Sequence, residues 1–114
     1  KLDSLYNYRK EFIQSTGDPT TSGFTFMKFG FIGFIQVNNI FQTRTVGNIT
    51  VNAPSWFVAK ETSIEYCGAA VSQSSTSTAE MKFINGVLGI YKSDTANTGT
   101  AHSVSGVICV FLEN

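Results

Sequence analysis

Between Gly23 and Val37 the chain reads Gly-Phe-Thr-Phe-Met-Lys-Phe-Gly-Phe-Ile-Gly-Phe-Ile-Gln-Val. Phe24 and Phe26 alternate with Thr25, as in a half-buried strand. Beyond Gly30 that alternation fails, because Phe31, Ile35 and Val37 take one parity while Ile32 and Phe34 take the other. A strand that is apolar on both faces needs cover on both. The segment therefore reads as a core strand or as one wrapped by a neighbouring subunit, and either reading limits what the rest of a 114-residue chain can be.

The remaining punctuation is that of strands and turns. Asn38-Asn39 is read as a turn, since Asn tolerates positive φ, followed by a strand over 40–46, a two-residue hairpin loop at Gly47-Asn48 and a returning strand over 49–52. Pro54 interrupts with Ala53-Pro54-Ser55-Trp56-Phe57, because it can donate no ladder hydrogen bond. A strand resumes over 62–71, with Ile64 and Tyr66 on one side. Residues 72–77 read as an exposed polar loop. Asn85-Gly86 between two apolar runs predicts a type I′ hairpin, whose central residues both need positive φ. Residues 92–101 form a second polar loop, and 103–112 a closing strand. Residues 1–22 differ: Leu2, Leu5, Tyr8 or Arg9, and Phe12 fall near helical spacing and stop at Gly17-Asp18-Pro19, as a short helix or the end of a stalk would. The layout predicts an all-β domain over 23–114, an antiparallel β-barrel or sandwich of about seven to eight short strands. A symmetric oligomer would cover the extra apolar face.

Composition narrows the function. Eight basic and eight acidic residues give zero net charge, so the Lys/Arg density that nucleic acid or anionic lipid requires is missing, and neither is an expected partner. The longest apolar stretch is far below the roughly twenty residues of a spanning helix, and membrane insertion is not expected. No charged n-region precedes an apolar h-region, and Lys1 in place of Met reads as a fragment or processed piece. Cys67 and Cys109 do not sit at metal-ligand spacing. They read as buried thiols within apolar strands, with a single bridge between them as the alternative.

The chemical motifs are few. With one His, a nucleophilic pair would have to use His102 with a strand cysteine or one of many serines, and no phosphate-cradling loop, Gly-x-Ser-x-Gly or HExxH is present. A glycosidase carboxylate pair could be drawn from Glu61, Glu65, Glu80 and Asp94, but scattered acids read more simply as a solvated surface. Asp94 reads as a turn residue rather than a calcium ligand, and Asn48-Ile49-Thr50 as a turn rather than a glycosylation site. No metal, cofactor or catalytic role is expected. What remains suits saccharide, bound by aromatic rings against the apolar sugar face and by polar groups on its hydroxyls: Trp56, Tyr91, Arg44, Asp94, Asn97 and His102 are of the right types. Each has a plainer reading, with Trp56 as a plug closing one end of a barrel, Tyr91 as half-buried packing and His102 as a solvated strand start.

From Ala53 onward the order of elements adds a further indication. A Pro and a bulky aromatic precede a strand (Ala53-Pro54-Ser55-Trp56-Phe57-Val58-Ala59). There follow a strand of small residues (Gly68-Ala69-Ala70-Val71), a Ser-rich loop, a hairpin at Asn85-Gly86, a polar loop and a Ser-Gly strand (Val104-Ser105-Gly106-Val107-Ile108-Cys109). Over about half of the chain this resembles the C-terminal head domain of receptor-binding proteins at the tail tip of bacteriophages, particularly siphophages infecting lactococci. The resemblance implies a homotrimer of β-barrel heads joined to the rest of the tail through an N-terminal stalk. It also implies binding of cell-wall saccharides of the bacterial host near a subunit boundary, and a place in the virion after assembly in the host cytoplasm. The residue types used there recur in Trp56, His102, Asp94 and Arg44, with Tyr91 as a substitute stacking ring.

Overall fold

Gly30 turns the long apolar run back on itself. In the computed structural model, which describes residues 8–15, 21–42, 47–71, 78–92 and 102–113, strands β2 (Gly23–Phe29) and β3 (Ile32–Gln42) pair as an antiparallel hairpin joined by Gly30-Phe31. Gly30 has φ 60°, as the first central residue of a type II′ turn requires. The run expected as one strand is thus two, and both of its faces stay apolar. Phe24 opposes Val37 and Phe26 opposes Ile35 on the inner side, while Met27 opposes Phe34 and Phe29 opposes Ile32 on the outer side.

Three further expectations are corrected. Tyr8–Gln14 is not helical; it forms β1, antiparallel to β2, because its backbone completes the free edge of the hairpin. Asn38-Asn39 is not a turn but a β-bulge within β3. Val37 faces Gly106 and Ile40 faces Val104, so one extra residue is absorbed on β3 and both Val37 and Ile40 point into the core. Asn39 takes φ 51°, its amide donates to Ser105 Oγ at 3.0 Å and the Ser105 hydroxyl donates to Asn39 Oδ1 at 3.3 Å. Gly47-Asn48 is no hairpin loop either. It opens β4 (Gly47–Asn52), which cannot return beside β3 because β2 and β8 already occupy both edges of that strand. β4 pairs with β7 instead, and Ile49 and Val51 face Ile90 and Leu88.

β5 (Tyr66–Val71) begins later than expected, since the Ile64 amide donates to Glu61 O at 3.4 Å in a turn. β6 (Thr78–Ile84) and β7 (Val87–Lys92) form the predicted hairpin, with Asn85 at φ 54° and Gly86 at φ 80°. β8 (His102–Phe111) closes the order β1-β2-β3-β8-β5-β6-β7-β4. The result is all-β, eight antiparallel strands in one sheet curled into a half-barrel, with no helix among the described residues.

The core lies inside the curl. Phe57, carried by the connection over 53–65, is the wedge between the two halves of the sheet. Its ring centroid lies 5.2 Å from that of Phe26 on β2 and 5.6 Å from that of Phe83 on β6, edge-on to both. At the seam between the halves, β8 and β5 share a single register pair among the described residues, Val71 with Ser105. Gly106 is required there, because a Cβ on it would run into the Ala69 carbonyl oxygen and lie 3.0 Å from Ala70 Cα.

Candidate functional site

Where the closing strand ends, three segments are clamped together by backbone hydrogen bonds. The Leu112 amide donates to Phe31 O at 2.8 Å, Lys60 N to Phe111 O at 2.9 Å and Glu113 N to Val58 O at 2.9 Å, beside a bridge between Ala59 and Leu112. This ties the β2–β3 turn, the 53–65 connection and the chain's last described residues into one end of the half-barrel. Between them opens a groove of about 830 Å³. Its wall presents the rings of Phe31, Tyr66 and Phe111, and its rim carries Lys60, Glu61 and Glu113. Aromatic faces flanked by hydroxyl-binding charges can hold a flat, partly apolar, hydroxyl-rich ligand such as a sugar.

The groove borders a larger feature. On the outside of β1, β2, β3 and β8 the register brings Tyr8, Phe29, Ile32 and Phe111 into one row across the four strands, and Lys10, Met27, Phe34 and Cys109 into the next. With Phe31 these make a largely apolar face interrupted by Lys10, and in the third row Phe12 and Val107 flank Thr25 and Gln36; its exposed apolar members run from 43% exposure at Phe12 to 54% at Phe111. Tyr8 and Phe29 stack at 4.8 Å between centroids, and Phe29 meets Phe34 at 6.1 Å. The outside of β5, β6, β7 and β4 differs. There Thr50, Asn52, Thr78, Glu80 and Lys82 are exposed, and Val71, Ile84 and Tyr91 are interspersed among them.

Of the saccharide candidates singled out from sequence, Trp56 and Tyr91 have described side chains, and the two stand apart. Trp56 lies on the concave side under β1, half-buried against the core, where its indole N–H donates to Glu11 Oε1 at 3.0 Å and the Arg9 guanidinium sits 5.1 Å from the ring centroid. One face of the ring is thereby taken, as for a plug at the barrel edge. Tyr91 is 40% exposed on the opposite, convex side, in register with Glu80 and Asn48. Arg44, Asp94 and Asn97 lie outside the described residues. His102 opens β8 beside Gln42, and its side chain is also outside them. Glu61 belongs to the groove rim, whereas Glu80 faces outward from β6 and Glu65 lies beside Cys67.

The thiols are not buried as expected. Cys67 and Cys109 are both exposed and free, because each takes the outward parity of its strand, opposite Lys82 and Phe34 respectively. Sequence reasoning missed Phe31, Tyr66 and Phe111 as a group. The three are far apart in the chain, and strand parity by itself assigns them to packing.

Among known proteins, no family, no curated protein and no solved structure matches this chain.

Proposed function

We propose that the chain is a non-catalytic recognition module that binds cell-surface saccharide and works as a symmetric assembly of several copies. The observation that carries this is the aromatic groove of Phe31, Tyr66 and Phe111 with its rim of Lys60, Glu61 and Glu113, opening beside an apolar face. A face of that size on one side of a half-barrel is cover awaiting a partner, and copies joined through it raise weak single-site binding by avidity. The resemblance to phage tail-tip heads points the same way. It makes the module a host-recognition homotrimer of a virion, held to the rest of the tail through the residues before β1.

The test is a titration of the protein against a panel of bacterial cell-wall saccharides, with Tyr66→Ala alongside. Each stacked ring contributes roughly 1 kcal/mol or more, so the variant loses about fivefold in affinity or more, while binding changes little between low and moderate salt because the site does not rest on net charge. Released reducing sugar would overturn the non-catalytic reading.

The apolar face taken alone favours a second reading, a purely structural fibre or capsid module whose assembly is its whole task. Normal assembly with no binding across the panel would decide for it.

A further inference from the structure

The two cysteines stand on either side of the seam. β5 and β8 run antiparallel there, with Val71 and Ser105 as their register pair. Four residues back along β5 from Val71 is Cys67, and four residues on along β8 from Ser105 is Cys109. The ladder itself stops at that pair, but equal, even steps in opposite directions from it keep both cysteines on the same outward parity of facing strands. The strands remain in contact over that interval. Gly106 closes on Ala69 and Ala70, and a Cβ on Gly68 would stand 3.1 Å from Ile108 Cγ1 and 3.3 Å from Val107 O. The approach of Gly68 to Ile108 brings their chain neighbours Cys67 and Cys109 side by side across the seam, and a disulfide joins Cα atoms roughly 4.4–6.8 Å apart. Both thiols are exposed and free. Among the described residues Cys67 Sγ makes long contacts with Glu65, 3.7 Å to Oε1 and 3.9 Å to the carbonyl oxygen.

We infer that Cys67 and Cys109 are the two halves of a cross-strand disulfide that staples the seam of the half-barrel. The location has a physical reason: among the described residues β3 and β8 share nine register pairs, whereas β8 and β5 share one, so a covalent link joins the two halves where the described ladder is thinnest. The bridge forms by thiol–disulfide exchange with a low-molecular-weight disulfide such as oxidised glutathione. One cysteine thiolate attacks it, forming a mixed disulfide and releasing one glutathione. The second cysteine thiolate attacks the protein sulfur of that adduct, forming the S–S bond and releasing the other glutathione. Two protons and two electrons leave the cysteines, and the oxidant's S–S bond ends as two thiols. None of this depends on a saccharide site.

The full chain, purified under reductant and desalted, is incubated with oxidised glutathione at low and at high protein concentration and then alkylated. The expected result is loss of both titratable thiols, a mass lower by about two hydrogens and one linked peptide holding Cys67 and Cys109. At the low concentration, where no second copy covers Cys109, the bridge should form at least about tenfold faster than in the same chain in denaturant, because the fold supplies the effective concentration. The melting temperature rises by on the order of 10 °C and reductant reverses the rise. Cys67→Ser should give one lasting glutathione adduct and no linked peptide. Two persistent glutathione adducts per wild-type chain, chains linked to one another on a non-reducing denaturing gel, or equal rates in native and denatured protein would each overturn the inference.

Discussion

Phe29→Asp places a carboxylate at the centre of the outer apolar face, between Tyr8 and Phe34. Phe29 is 45% exposed. With roughly 200 Å² for an aromatic side chain, it leaves roughly 90 Å² for a partner to cover, worth about 2 kcal/mol at about 25 cal/mol per Å². At about 1.4 kcal/mol per tenfold, losing that area weakens each contact by about 40-fold before the cost of desolvating the new charge is added. In a closed symmetric assembly every copy carries the change, so the losses compound. The fold itself should survive, because the side chain points away from the core. Its ring contacts with Tyr8 and Phe34 are lost together with the roughly 110 Å² it buries within one copy, about 3 kcal/mol, or roughly 12 °C in melting temperature for a chain of this length. Sedimentation velocity over a hundredfold range of concentration, with a thermal melt of each sample, measures both quantities. Wild type should sediment as an assembly and the variant as a single folded copy. A wild type that stays single at the highest concentration, or a variant that assembles as wild type does, would refute the claim that this face is an interface.

The other predictions concern the body of the fold. Phe57→Ala removes the wedge shared by Phe26 and Phe83 and should cost about 3–5 kcal/mol, read as a lower midpoint in urea; a loss below about 1 kcal/mol would mean that the halves pack without it. Gly106→Ala drives a methyl into the Ala69 carbonyl and should cost about 1–3 kcal/mol or more. Gly89→Ala, where a Cβ meets nothing nearer than Lys82 O at 4.0 Å, should be neutral or stabilise by about 0.5 kcal/mol; thermal melts that rank the two the other way would displace the seam from where we put it. Trp56→Phe gives up the hydrogen bond to Glu11 and should cost about 1 kcal/mol of stability while leaving saccharide affinity unchanged, and a tenfold loss of affinity would return Trp56 to the site.

Strand content was legible wherever local chemistry dictates backbone geometry. Asn85-Gly86 specified its hairpin because few other pairs accept two positive φ values in succession. In the two apolar runs that flank it, Ala79, Met81, Phe83, Leu88 and Ile90 lie in the core. The errors came where a local signal had two outcomes. Gly30 can be a strand residue or a turn, and only pairing decides. Asn39 at positive φ suits a turn or a bulge equally well. The position of β4 depends on β2 and β8 having taken both edges of β3, which no window of sequence contains. Leu2, Leu5 and Phe12 suggested a helix because spacing on so short a run is weak, whereas an unpaired edge on β2 is a strong demand for Tyr8–Gln14. The groove was hidden for the same reason as β4: Phe31, Tyr66 and Phe111 meet only after the connection over 53–65 has crossed the open end of the curl.

The division of the outer surface is the feature with most bearing on what the molecule does. One continuous sheet has a polar outside on β5, β6, β7 and β4 and an apolar outside on β1, β2, β3 and β8, with the change falling at the β8–β5 seam. Folding alone would favour polar residues on both, because neither outer face contributes to the core. A pressure other than folding therefore maintains the rings of Tyr8, Phe29 and Phe111, and association is the simplest one. Phe31 and Phe111 belong both to that face and to the groove wall, so their substitution would disturb assembly and ligand together. Tyr66 and Glu61 line the groove without joining the face. Loss of saccharide in Tyr66→Ala at unchanged mass, set against loss of mass in Phe29→Asp, therefore separates the site from the interface, which no change at Phe31 or Phe111 can do.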